Sequence, residues 1–183
     1  MRLIPADQVA PTAWKNGGGR TRTLLALPAE DDWQLRISMA DVAQDGPFSP
    51  YPGVERWLAL VEGAGMQLDF ANHTVTLTPH DAPLRFDGAS APHGRLLQGT
   101  VRDLNLMSKG GQAAMVAALP GHAWRATQQS CGLFALQAGH WSCADGRSAT
   151  LSRHTLLWLD DAPQADMMFD QPGLWLAFTA PTP

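Results

Sequence analysis

The sequence predicts an all-β protein made of two packed barrel-like units. Three observations carry this reading. Helical periodicity is nearly absent: only 111–119, GQAAMVAAL, reads as a helix, and it reads equally well as a strand. Elsewhere, short apolar runs alternate with turn residues every eight to twelve positions, the spacing of sandwiches and barrels. One block of pattern also occurs twice, which points to an internal duplication.

The repeat can be followed residue by residue. WLALVEG at 57–63 aligns with LFALQAG at 133–139, pairing Leu60 with Leu136 and Gly63 with Gly139 at an offset of 76. Thr76 to His80 then aligns with Thr150 to His154 at an offset of 74, as a loop two residues shorter requires. Both copies run on into an apolar strand with an acidic end, Leu84 to Asp87 and Leu156 to Asp160. The expected units are residues 1–119 and 120–183, with strands free to exchange between them.

Two strands stand out. In Trp33 to Val42, the side chains of Trp33, Leu35, Ile37 and Met39 point one way, and those of Gln34, Arg36, Ser38 and Ala40 the other. In Val101 to Ser108, Leu104 and Leu106 face one side, and Asp103, Asn105 and Met107 the other. Each polar set is either a solvated outer face or the lining of a lumen that holds a polar ligand.

Composition narrows the function. A net charge of −4 argues against nucleic-acid and anionic-membrane surfaces, which need a positive excess. No apolar run approaches the roughly 20 residues that span a bilayer, and the N-terminal stretch lacks the apolar region of a secretory signal. A cytoplasmic protein is expected, with Cys131 and Cys143 as reduced thiols.

Each repeat resembles a cupin. A strand ending in glycine (Leu58 to Gly63) is followed by a hairpin (Met66 to Thr78), the turn Pro79-His80-Asp81, and an apolar strand from Leu84. Cupins usually carry glycine where this chain has His80. Many cupins bind a metal through two histidines and a glutamate before the first strand. Here those positions fall near Ser49 and Tyr51 and at Arg56, and His93 alone stands where a third histidine would be. No metal and no other cofactor is therefore expected. A cation replaces an anionic ligand, and a pocket holding Arg56, Arg36 and Lys15 would suit an acidic small molecule.

The run WKNGGGRTR at 14–22 fits that pocket, because three glycines permit positive φ and close backbone approach. It reads either as a turn between strands or as an anion-binding nest. It is followed by Arg36-Ile37-Ser38, then 45–56 (DGPFSPYPGVER), Leu60 to Gly63, Phe86-Asp87-Gly88, and Asp103 to Met107. In that order these motifs resemble the HutD/Ves family. Relatives usually carry glutamate after the Thr-Arg pair, where this chain has Thr23. The resemblance implies a bicupin that binds an acidic intermediate of histidine degradation, such as formylglutamate or urocanate, and so limits flux. The Ves branch of the family is linked instead to cold and stress response. No catalytic activity comes with the resemblance.

The expected ligand-binding set is Lys15, Asn16, Arg22, Arg36, Ser38, Ser49, Arg56, Asp103 and Asn105, with Asp103 orienting Arg36 or Arg56. No residue is assigned a catalytic role. The expected partner is a small acidic metabolite, and a homodimer stays open. The alternative is an enzyme acting on a small carboxylate. Its candidate groups are Glu62, Asp103, and a pairing of Cys143 with His140, which strand alternation would place on opposite faces.

Overall fold

Alternation of apolar and polar residues produces eighteen strands in the computed structural model, which describes residues 1–181. Among the described residues the only helical element is a three-residue 3-10 turn, Ala6–Gln8. No helix is long and apolar enough to cross a membrane.

The chain divides into two compact units, one of Ala10–Gly110 and one of Met1–Val9 with the chain from Gly111 onward. The boundary lies nine residues before the one read from sequence, at 110/111, and the first nine residues belong with the second unit. Backbone pairing accounts for both differences. Strand β1 (Arg2–Pro5) pairs with β16 (Thr155–Leu159). Strand β12 (Gln112–Ala118), the segment with ambiguous periodicity, pairs along its whole length with β18 (Gly173–Thr179).

The first unit runs β2 (Thr12–Ala13), β3 (Gly19–Pro28), β4 (Trp33–Val42), β5 (Gly46–Pro47), β6 (Val54–Glu62), β7 (Met66–Asp69), β8 (Thr74–Leu77), β9 (Leu84–Asp87), β10 (His93–Leu96) and β11 (Val101–Lys109). These strands form a six-stranded sheet, β2-β3-β4-β11-β6-β9, and a four-stranded sheet, β5-β10-β7-β8. Leu58, Leu60, Val42 and Val101 of the first sheet meet Met66, Leu68 and Leu77 of the second in one apolar core.

The second unit adds β13 (Ser130–Ala135), β14 (Gly139–Cys143), β15 (Ser148–Leu151) and β17 (Met167–Phe169). Its sheets are β1-β16-β13-β18-β12 and β15-β14-β17. The order β4-β11-β6-β9 of the first unit thus reappears as β12-β18-β13-β16, and β10-β7-β8 as β17-β14-β15. The repeated stretches occupy equivalent strands, β6 with β13 and β8 with β15, and His80 and His154 both lie in two-residue turns after the latter pair. His154 holds φ at 58° and stacks on Phe134. The core of this unit contains both cysteines, which are free thiols.

Candidate functional site

Strand register builds the site within the first unit. On β4 and β11, side chains alternate between the two faces of the sheet, so Arg36, Ser38 and Ala40 share one face with Asp103, Asn105 and Met107. Met107 sits opposite Arg36 on one side and Arg56 on the other. The two arginines are therefore two strands apart, about 10 Å between backbones. Ser38 and Leu58 flank Asn105, and Ala40 and Leu60 flank Asp103. Strand β3 adds Thr23 beside Ser38 and Thr21 beside Ala40.

This face floors a cavity of about 580 Å³, within the usual size range for small-molecule sites. Trp14, Lys15 and Asn16 line it from the loop before β3, and Phe48, Ser49 and Tyr51 from the segment between β5 and β6. The polar set read from sequence is thus a lumen: Ser38, Arg56, Asp103 and Asn105 are all buried.

The two arginines are held differently. Arg56 is 4 % exposed. Its Nη2 donates to Asn105 Oδ1 at 2.8 Å and its Nη1 to the Ser49 carbonyl at 3.3 Å. The guanidinium lies against the rings of Phe86, Phe48 and Tyr51, at 5.1, 5.4 and 5.7 Å from their centroids. Arg36 makes one long hydrogen bond, from Nη2 to Thr23 Oγ1 at 3.2 Å, and has no carboxylate partner among the described residues. Lys15 is exposed at the rim, also without a carboxylate partner. Arg36 is therefore the inner cation with donors to spare, and Arg56 is committed to the protein itself.

Asp103 reaches Arg56 through Asn105 rather than directly. Asn105 Nδ2 donates to Asp103 Oδ1 at 2.5 Å while Asn105 Oδ1 accepts from Arg56. Burial pushes the Asp103 carboxyl up to about 7, against the opposing pull of Arg56 and the Asn105 hydrogen bond. Burial also lowers the Arg56 pKa, and the nearby Asp103 works the other way.

Most of the expected set converges: Lys15, Asn16, Arg36, Ser38, Ser49, Arg56, Asp103 and Asn105 all line the cavity. Two of these serve in other ways than a side-chain donor to ligand would. Asn16 Oδ1 accepts from Gly18 N–H at 3.0 Å and shapes the loop, and Ser49 gives its carbonyl to Arg56. Arg22 does not belong to the set. It neighbours Thr21 and Thr23 on a strand, so it points to the opposite face. There Arg22, Arg20 and Arg102 converge on Asp41 at 2.8, 2.6 and 2.6 Å, and Arg102 also pairs with Glu62 at 2.9 Å. Burial alone would raise the Asp41 pKa, but the three arginine hydrogen bonds hold it well below the usual carboxylate range.

Sequence reading missed Thr21, Thr23, Phe48 and Tyr51 as lining residues. Period-two alternation about Arg22 was the available signal for the threonines. For the aromatics it was their clustering before Arg56.

The glycine run answers two separate demands, at Gly17 and at Gly19. Gly17 takes φ of +72° in open space. A Cβ on Gly18 would meet Asn16 Oδ1 at 3.4 Å, an ordinary contact. A Cβ on Gly19 would lie 2.4 Å from the Asp41 carbonyl and 3.1 Å from the Trp14 ring.

A cupin metal does not fit these residues. Arg56 places a permanent cation where a carboxylate ligand would stand, and its ring cage supplies no anionic donor. His93 is exposed on β10, and among the described residues no three His, Cys, Asp or Glu side chains gather to hold an ion.

Paired sheets around a polar cavity floored by arginine and amide groups define a cupin-type protein. The fold matches that of a cupin-2 barrel protein from Leptotrichia buccalis, with a TM-score of 0.58 at 10 % identity over 98 % of this chain and 96 % of that one. The chain belongs to the HutD family, whose model matches residues 6–177. It is 30 % identical to Protein Ves of Citrobacter koseri over 181 residues, 93 % of each chain. It is 34 % identical over 110 residues to an uncharacterised 21.2 kDa protein in the hutC 3′ region of Pseudomonas putida, covering 58 % of this chain and 57 % of that protein. The structure of HutD from Pseudomonas fluorescens superposes with a TM-score of 0.88 at 24 % identity, covering 99 % of both chains.

Proposed function

We propose that the protein binds a small carboxylate in the cavity above Arg36, and that it does so as a regulator of histidine utilisation rather than as a metalloenzyme. The observation that carries this is Arg36 itself: a cation facing a cavity of about 580 Å³ with one long hydrogen bond and no carboxylate partner among the described residues. Ser38 and Thr23 stand beside it as hydroxyl partners. Family membership and the hutC-region relative direct the choice of ligand toward acids of histidine degradation, with formylglutamate and urocanate as candidates.

Calorimetric titration with formylglutamate, urocanate and glutamate tests the reading. A charge-assisted contact contributes roughly 1.5–3 kcal/mol. Arg36→Ala should therefore weaken binding by about ten- to a hundred-fold. Failure of all three acids to bind the wild type at millimolar concentration would remove the ligand assignment.

A second reading is an enzyme acting on such an acid. It is favoured by Asp103, a buried carboxyl in the cavity that titrates near neutrality. Turnover of the same acids, followed by chromatography, decides between the two.

A further inference from the structure

Two buried polar atoms in the floor of the cavity lack a hydrogen-bond partner among the described residues, Asp103 Oδ2 and Arg56 Nε. The Asp103 carboxyl is 1 % exposed and receives one hydrogen bond, the Asn105 contact to Oδ1. An ionised carboxylate withdrawn from water needs several donors or a paired cation. Here the Asn105 carboxamide stands between it and Arg56, so the nearest guanidinium compensates it only at a remove.

The surrounding charges do not make good the shortfall. Strand β6 contributes Arg56, and β4 contributes Arg36, which faces the cavity, and Asp41, which faces away and is bound by three arginines. On the Asp103 strand itself, Arg102 faces away with Asp41. The opposed sheet presents Gly46, Pro47 and Gly94, which do not titrate. Lys15, Glu30 and Asp45 line the cavity from exposed loops.

We propose that an anion entering this cavity is bound together with a proton, and that Asp103 is the group that takes it. The inference rests on the carboxylate-binding reading above. A bound anion adds a second negative charge to a floor whose own carboxylate is already poorly supported, and like charges in one site favour protonation of one of them. An O–H bond forms at Oδ2, the proton comes from solvent, and Asp103 becomes a neutral acid. The site then gains one negative charge fewer than the anion carries. With the free carboxyl already pushed up to about 7 by burial, the exchange falls within an accessible pH range. Affinity should fall as pH rises, about tenfold for each unit by which the bound carboxyl titrates above the free one.

Formylglutamate is the suitable probe, since its carboxyls stay ionised through this range. Titrations near pH 7 in HEPES and in Tris, whose ionisation heats differ, should report uptake of up to about half a proton per ligand bound, since the free carboxyl is already about half protonated there. Affinity should fall about tenfold from pH 5.5 to 8.5. Asp103→Asn should flatten that profile and abolish the uptake. Should that variant fail to fold, carbon-13 titration of labelled aspartate in the wild type replaces it, and the Asp103 midpoint must rise when formylglutamate is added. Binding with no proton uptake, uptake that persists in Asp103→Asn, or an unmoved midpoint overturns the inference and leaves the binding reading standing. If no acid binds, both readings fall together.

Discussion

Arg36 and Arg56 share a cavity and a residue type, yet truncating each should have opposite consequences. Arg56→Ala removes a charged hydrogen bond to Asn105, a weaker one to Ser49, and contact with three rings. It also leaves Asp103 and Asn105 buried without their cation. Breaking a buried, hydrogen-bonded charge network in this way costs about 3–5 kcal/mol. For a chain of this size, about 2–4 °C of melting temperature follows each kcal/mol, so Arg56→Ala should melt roughly 6–20 °C below wild type. Arg36→Ala removes one 3.2 Å hydrogen bond from a half-buried side chain and should shift melting by a few degrees at most, about 1 kcal/mol. In binding the order reverses, because Arg56 spends both terminal nitrogens on the protein while Arg36 spends one. Differential scanning calorimetry and ligand titration on both variants check the pair. If Arg56→Ala melted like wild type while Arg36→Ala unfolded, the division of labour drawn from the hydrogen bonds would be wrong.

Three further outcomes are expected. The folded Asp103 carboxyl titrates at about 7 against a reference of 3.8, so the native state holds an extra proton between those values and stability must fall as pH rises through them. The difference amounts to about 4 kcal/mol at most over the whole window, and urea midpoints at pH 5 and 8 should show about 3 kcal/mol of it in wild type but not in Asp103→Asn. Asp41→Asn should cost about 1–3 kcal/mol, chiefly by removing the charged partner of Arg22, since Arg102 keeps Glu62 and Arg20 is half exposed, and should leave acid binding intact, since the cluster lies on the other face of the sheet; a loss of affinity in that variant would contradict the assignment of faces. Because the Asp41 pKa is depressed, the stability its charge contributes is present above the ordinary carboxylate range and is lost as pH falls below it. Elemental analysis after chelation should find no stoichiometric zinc, iron, nickel or manganese, and a retained equivalent lost on mutating His93 would overturn the fit argument made from Arg56.

Much of the architecture was legible because β-structure writes itself with a period of two. Trp33 to Val42 reads as a strand in sequence and is one residue for residue. The polar alternation of Arg36 and Ser38, with that of Asp103 and Asn105, left a solvated face and a lumen both open, and strand pairing makes it the cavity floor. Arg22 shows where such reading ends: beside Thr21 it looked like part of one motif, and strand geometry separates neighbours by a half-turn. The boundary between the units was hidden for another reason. Nothing local in Gln112 to Ala118 declares that its partner lies some sixty residues onward in Gly173–Thr179, because pairing is a long-range choice. The aromatic cage of Arg56 was likewise unreadable, since Phe86 joins Phe48 and Tyr51 only after β9 pairs with β6.

The run of three glycines looks like a single flexible element, but its members have different tolerances. Gly18 can accept a methyl group, and Gly17 can accept the few side chains at ease with positive φ. Gly19 can accept nothing, because its α-carbon passes against the Asp41 carbonyl and the Trp14 ring. Asp41 is itself the hub of the arginine cluster on the far face, so this one missing side chain is where the loop that carries Lys15 is pressed onto the sheet. A library that varied the loop to alter ligand choice would thus have two adjustable positions and one fixed point. Lengthening the run on the Lys15 side of Gly19 would move the rim of the cavity, whereas any change at Gly19 would reach through the sheet to the charges behind it.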